Sequence, residues 1–262
     1  MSRGRLLGGN LWLYTNFDCN LRCSYCVTES SPQAPRRALG TERTRRLIEE
    51  GVSLGFEDIF LTGGEPFILP DIFDVLAFAL SRARTAVLTN GILLSGARLD
   101  RLASIADPGL TIQVSLDGAR PEHNDGYRGE GTWARAVQAI QALVARDVRV
   151  AVSTTETPDN SRHLDELRQY VGDLGVAAED HFVRPLARRG FSCEGLEVGK
   201  GSLVPEATVS ANGVYWHPLL APSNSDTLVT DEIFPLSAAV AAIEAELKAT
   251  TQGIEDAREE FT

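Results

Sequence analysis

Apolar residues recur along this chain in short dense runs, each followed by a longer stretch with helical spacing. NLWLYTNF (10–17), DIFLTGG (58–64), TAVLTNG (85–91), LTIQVSLDG (110–118), VRVAVSTTET (148–157) and HFVRPLARRG (181–190) are the runs. Each is rich in β-branched and aromatic residues and ends on turn-forming ones, which predicts strands. Between them lie helical segments, such as PDIFDVLAFALSRAR with Ile72, Val75, Leu76 and Ala79 on one face. GTWARAVQAIQALVARD does the same with Trp133, Val137, Ile140 and Val144. The runs read as continuous rather than alternating, the pattern expected of parallel strands buried on both faces. Repeated β-α steps predict an α/β fold, a partial (β/α)6 TIM-like barrel open on one side.

After residue 190 the pattern changes. EATVS and VYWHP flank Ala211-Asn212-Gly213 as a predicted hairpin that covers the open side. A terminal helix follows, with Leu236, Val240, Ile243 and Leu247 in one stripe. TTQG then weakens the helical pattern, and the acidic end reads as frayed. The expected division is a barrel core over 1–190 and a C-terminal extension, hairpin plus helix, over 191–262.

Composition narrows the possibilities. The 262 residues are 43% hydrophobic, ample for a core, and carry a net charge of −11. That charge argues against nucleic acid as a partner. No apolar run is long enough to span a bilayer, and MSRGRLLGG lacks the features of a signal peptide. A cytoplasmic location without membrane attachment is the expectation. Of the four cysteines, three fall within CNLRCSYC as Cys19, Cys23 and Cys26. Such clustering points to metal ligands in a reducing compartment, not to disulfides.

Three thiolates saturate three irons of a 4Fe–4S cubane and leave the fourth open to a ligand. A zinc site completed by Cys193 or a histidine is the competing reading, although zinc ligands usually come in C-x-x-C pairs. A loop leaving the first strand of a parallel barrel lies at the C-terminal face, where such barrels build their active sites.

C-x-x-x-C-x-x-C after a first strand, with Tyr25 before the last cysteine, resembles the signature of the radical S-adenosylmethionine (radical SAM) superfamily. LTGGEP (61–66) resembles that family's Gly-Gly-Glu element, which implies Gly63, Gly64 and Glu65 near the amino end of the methionine moiety. TNG and VSLDG, with Asn90, Ser115 and Asp117, fall where the family contacts ribose and carboxylate. HNDGYRGEGTW (123–133) resembles the segment after strand four and offers Arg128 as a carboxylate partner. The resemblance covers roughly residues 10–190.

It implies an enzyme in which one 4Fe–4S cluster splits S-adenosylmethionine to a 5′-deoxyadenosyl radical. That radical takes a hydrogen atom from a small-molecule or short-peptide substrate, with flavodoxin or ferredoxin as electron donor. Substrate contacts are expected at the later strand ends: Glu156 closing strand five, Arg184 and Arg188 around strand six. The hairpin resembles a degenerate form of the SPASM or twitch extension of peptide-modifying branches, with Trp216-His217 where a cysteine would stand. Cys193 alone cannot hold an auxiliary cluster; it is a candidate hydrogen-atom donor or an unligated thiol. A peptide maturase without auxiliary clusters, and a zinc- or iron-binding regulatory module without radical chemistry, are the alternatives.

Overall fold

The structure is a computed structural model describing residues 7–221 and 227–260, with side chains through 249. The predicted runs become β1 (Asn10–Asn16), β2 (Asp58–Gly63), β3 (Arg84–Thr89), β4 (Leu110–Ser115), β5 (Arg149–Glu156) and β6 (His181–Pro185). Each pairs in parallel with the next. Helices return the chain between them: α1 (Thr41–Ser53), α2 (Ile72–Leu80), α3 (Gly96–Ile105), the short α4 (Asp125–Arg128), α5 (Thr132–Val144) and α6 (Leu164–Asp173). This is the expected partial barrel.

The extension joins the same sheet. β7 (Ala207–Ser210) pairs in parallel with β1, with Leu11 opposite Ala207 and Leu13 opposite Val209. β8 (Gly213–Tyr215) turns back through Ala211-Asn212 as the hairpin signal predicts, and β9 (Leu228–Thr230) adds a further antiparallel strand. Among the described residues the sheet runs β6-β5-β4-β3-β2-β1-β7-β8-β9. α7 (Leu236–Glu260) continues past TTQG, where the sequence pattern weakens. One glycine inside a helix costs only about 1 kcal/mol. Its Leu236, Val240 and Ile243 are buried in the core beside α1, and Leu236 N–H donates to Glu50 Oε2 at 2.6 Å. No described helix is long and apolar enough to cross a membrane.

β2 and β3 are not continuously buried, contrary to the sequence reading, whereas β1 is buried from Leu11 to Asn16. Burial alternates along β2 and β3. Leu11, Leu13, Ile59, Leu61, Val87, Ile112, Val114, Val150 and Val152 point to the helices and form the core. The alternate positions face the concave side, as the two-residue period of a strand requires. An incomplete barrel does not fill its interior, so that inner row is half open at Phe60, Ala86 and Ser153 although it is buried along β1. At its base Trp12 stacks on Phe60 with centroids 4.1 Å apart. Trp12 Nε1 and Asn10 Nδ2 donate to Glu206 at 2.5 and 2.9 Å, tying the extension to β1.

Candidate cluster and cofactor site

The cysteine loop leaves β1 at the C-terminal edge of the sheet. Its geometry is set by what β2, β3 and β4 place beneath it. At the end of β2, Gly64 lies so close to the loop that an added Cβ would sit 2.1 Å from the Asp18 carbonyl oxygen. Gly63, at a φ of +141°, would place a Cβ 2.2 Å from Asn16 O. Gly64 N–H donates to Asn16 O at 3.0 Å and Glu65 N–H to Asp18 O at 2.8 Å. These glycines therefore let the chain approach its own loop, one residue before Cys19.

Glu65 is fully buried, and its carboxylate is occupied by the protein. It accepts from Phe67 N–H at 3.1 Å, Thr89 Oγ1 at 2.8 Å and Asn90 N–H at 2.8 Å. Burial pushes its pKa up to about 7, and those donors hold it from rising further. Glu65 thereby binds the end of β2 to the end of β3. Asn90 carries the link onward: its Nδ2 donates to Asn20 Oδ1 at 2.9 Å and points at Cys19 Sγ from 3.7 Å.

Asp117 does the equivalent for β4. Fully buried, it accepts from Arg128 Nε at 2.7 Å, from Thr155 N–H at 2.9 Å and from the Tyr25 hydroxyl. Burial holds the Tyr25 phenol protonated, so it donates. Burial is the strongest influence on Arg128 and opposes its charge, but the Asp117 carboxylate, with Tyr25 and Cys23, raises its pKa overall. The guanidinium also lies over the Tyr25 ring, 5.4 Å from its centroid. Arg128 thus pairs with a carboxylate of its own chain. Ser24 N–H donates to Tyr127 O at 2.9 Å, docking the same loop on α4. Ser115 faces the concavity half-buried, opposite Ser153 in register.

The three thiols are half-buried and unpaired by disulfides, and burial pushes Cys19 up to about 12. Cys23 is raised by the same cause. Each lies within electrostatic reach of the other two. Cys19 Sγ accepts from Leu21 N–H at 3.4 Å, and Cys26 Sγ lies 3.2 Å from the Thr28 hydroxyl. Bound iron would reverse the preference for the protonated thiol, and such donors suit cluster thiolates. Among the described residues no three His, Cys, Asp or Glu side chains converge as a single ion requires. A cubane spreads its thiolates over three corners and asks for no such convergence. The donor set therefore fits the cluster.

The exit of β6 supplies contacts the sequence did not reveal. Phe191 N–H donates to Cys26 O at 3.1 Å, and Arg22 lies over the Phe191 ring at 4.6 Å. Gly190, with φ of +60°, would put a Cβ 2.2 Å from Cys26 O. A glycine after RPLARR was the available signal. Arg188 pairs with Glu197 of its own loop at 3.2 Å, and Arg189 Nε donates to Val198 O at 3.3 Å. Cys193 is exposed on that loop. Glu156 is half-buried at the end of β5, and Arg184 stands exposed on β6. Trp216 is packed with Nε1 on Leu203 O at 3.0 Å, and His217 Nδ1 accepts from Leu219 N–H at 3.1 Å. Both belong to the hairpin's own structure.

A half-open parallel barrel with a three-thiol loop on its C-terminal rim defines a class of cluster-bearing enzyme scaffold. The family model described as the radical SAM superfamily matches residues 13–171, and the chain belongs to that family. Its members are enzymes that use a 4Fe–4S cluster and S-adenosylmethionine. The chain is 31% identical over 179 residues to the AdoMet-dependent heme synthase of Methanosarcina barkeri, covering 67% of this chain and 51% of that one. It is 31% identical over 174 residues to the mycofactocin maturase MftC of Mycobacterium tuberculosis, covering 66% and 44%. The chain thus spans about half the length of these relatives. In fold it resembles Streptococcus suis SuiB bound to S-adenosylmethionine, at a TM-score of 0.61, 16% identity and coverage of 94% and 48%. It also resembles anSMEcpe with bound AdoMet and a peptide, at a TM-score of 0.66, 13% identity and coverage of 88% and 79%.

Proposed function

We propose that this chain is a radical SAM enzyme acting by hydrogen-atom abstraction on a small molecule or short peptide. Cys19, Cys23 and Cys26 would hold one 4Fe–4S cluster, with S-adenosylmethionine as its partner. When bound, this pair supplies a carbon radical able to take hydrogen from an unactivated C–H bond. The observation that carries the reading is the three-thiol loop fixed at the strand ends by Asp117, Glu65 and Asn90.

The chain's own residues divide the remaining work. Backbone groups of Gly63 and Gly64, the Asn90 side chain and Ser115 line the cofactor. Glu65, Asp117 and Arg128 hold those elements in place, since their polar atoms are engaged within the protein. Arg184 faces the substrate from the concave wall, whereas Glu156 falls on the face of β5 that carries Val150 and Val152 and Arg188 is satisfied by Glu197. Residues 1–190 form the catalytic core, and 191–262 an extension that completes it along β1. The relatives' names include two kinds of substrate, since one is a heme synthase and another a peptide maturase. Both substrate classes therefore stay within the proposal. The cytoplasm, with flavodoxin or ferredoxin as donor, supplies the reducing conditions that thiols and cluster need.

Anaerobic reconstitution tests the reading. The expected product is a brown protein with about four irons and a cluster signal that changes on adding S-adenosylmethionine. Reduction should release 5′-deoxyadenosine. Cys23→Ala should lose iron and release together. A colourless protein with one zinc, or a variant that keeps its cluster, would overturn the proposal.

A further inference from the structure

The inner wall of the half-barrel is nearly uncharged above its base. Arg84 and Arg149, at the strand starts, are neutralised by Asp58 and Asp180 at 2.7 and 2.8 Å. Arg128 is paired with Asp117. Arg184 is different. It lies near the end of β6, and its Nη1 donates to the Ser153 hydroxyl at 3.0 Å. Its guanidinium sits 5.6 Å from the Phe182 ring centroid, and no carboxylate of the described residues lies within ion-pair distance. In a protein of net charge −11, an arginine facing a concavity beside a hydroxyl and an aromatic ring is the kind of group that receives an anion.

Its position is informative. Arg184 is the register partner of Thr155, whose N–H donates to Asp117. Asp117 in turn holds Tyr25 of the cysteine loop. The Arg184 backbone therefore stands in the same layer as the lock on that loop, and its guanidinium reaches back from there to Ser153, toward the base of the open wall.

The charge of the ligand can also be read. Glu206 lies within electrostatic reach of Arg184, held in place by Asn10 and Trp12. His217 contributes no second cation, because burial and the Arg184 charge bring its pKa down to about 4. One positive charge with a carboxylate nearby suits a monoanion better than a phosphate dianion.

We propose that Arg184 receives a carboxylate of the substrate, a peptide terminus, an acidic side chain or a small organic acid, between Ser153 and Phe182. This rests on the enzyme reading above and names the chemical class of its substrate. The carboxylate of S-adenosylmethionine is the other source of the same chemistry, and the test separates the two.

The probe is N-acetylphenylalanine, compared with its uncharged amide, by saturation-transfer NMR on the reconstituted protein. The acid should bind, and the amide and the Arg184→Gln variant should each weaken binding roughly tenfold or more. Arg184→Lys, which keeps the charge but loses the fork, should fall between and serves if Arg184→Gln fails to fold. Binding of S-adenosylmethionine should stay within about twofold in Arg184→Gln. Equal binding of acid and amide, acid binding unchanged in Arg184→Gln, or loss of S-adenosylmethionine binding in that variant would each overturn the assignment. A wild-type protein that releases no 5′-deoxyadenosine overturns the enzyme reading and this one with it. Release without discrimination for the acid overturns this one alone.

Discussion

The two ends of the parallel sheet are built to different standards. β1 is flanked by β2 and β7, and all of it but Asn10 is buried. β6 has a neighbour only in β5, none of its residues is buried, and Phe182 is 38% exposed. The chemistry follows the same gradient. Beneath the cysteine loop the Glu65 and Asp117 carboxylates have their donors inside the protein. Along β6 and its exit loop the arginines meet a hydroxyl, a neighbouring glutamate and a carbonyl at the surface. One side is organised in advance by groups of the protein itself, and the other keeps its arginines at the surface.

Breaking the ordered side should cost most. Arg128→Met leaves the Asp117 carboxylate buried and unpaired, which destabilises by about 3–5 kcal/mol. The drop would be read as a lower urea midpoint. Replacing Asp117 by leucine as well should recover part of it. An unchanged midpoint in the single variant would mean that the pair does not hold the loop.

The pH dependence of Glu65 is the next largest effect. Its pKa is raised in the folded protein from an ordinary 4.5 to about 7. An acid shifted upward contributes stability that is full below pH 4.5 and lost as pH rises through 7. The expected loss is on the order of 3 kcal/mol, measured from urea midpoints of cluster-free protein at pH 5 and 8. Glu65→Gln should flatten that slope even though it lowers stability overall; a slope equal to wild type would remove Glu65 as its source.

The open side should barely respond. Arg188→Ala breaks an exposed pair with Glu197 and should change stability by less than about 0.5 kcal/mol. A larger loss would show that the exit loop is as firmly built as the cysteine loop, and would erase the contrast.

The strand and helix sequence of the barrel was legible because each step carries its own period, and β1 through β6 fall within a few residues of the apolar runs. The hairpin was legible from its turn. Burial was misread because a residue's own run cannot tell whether the opposite face is covered; that depends on how far the barrel closes. The cysteines could be read by spacing alone. What Glu65, Asp117 and Arg128 touch could not, because their partners lie 24, 92 and 11 residues away along the chain. Nor could the docking of Gly190 and Phe191 on Cys26, which requires the loop after β6 to fold back across the rim.

The pairing of β7 with β1 limits where this polypeptide can be shortened. Cutting after residue 190 would strip the hydrogen-bonding partners from Leu11, Trp12 and Leu13 and take away the glutamate that caps the Trp12 indole. An unshielded strand edge recruits copies of itself. The trimmed product would aggregate before its thiols could ever be loaded.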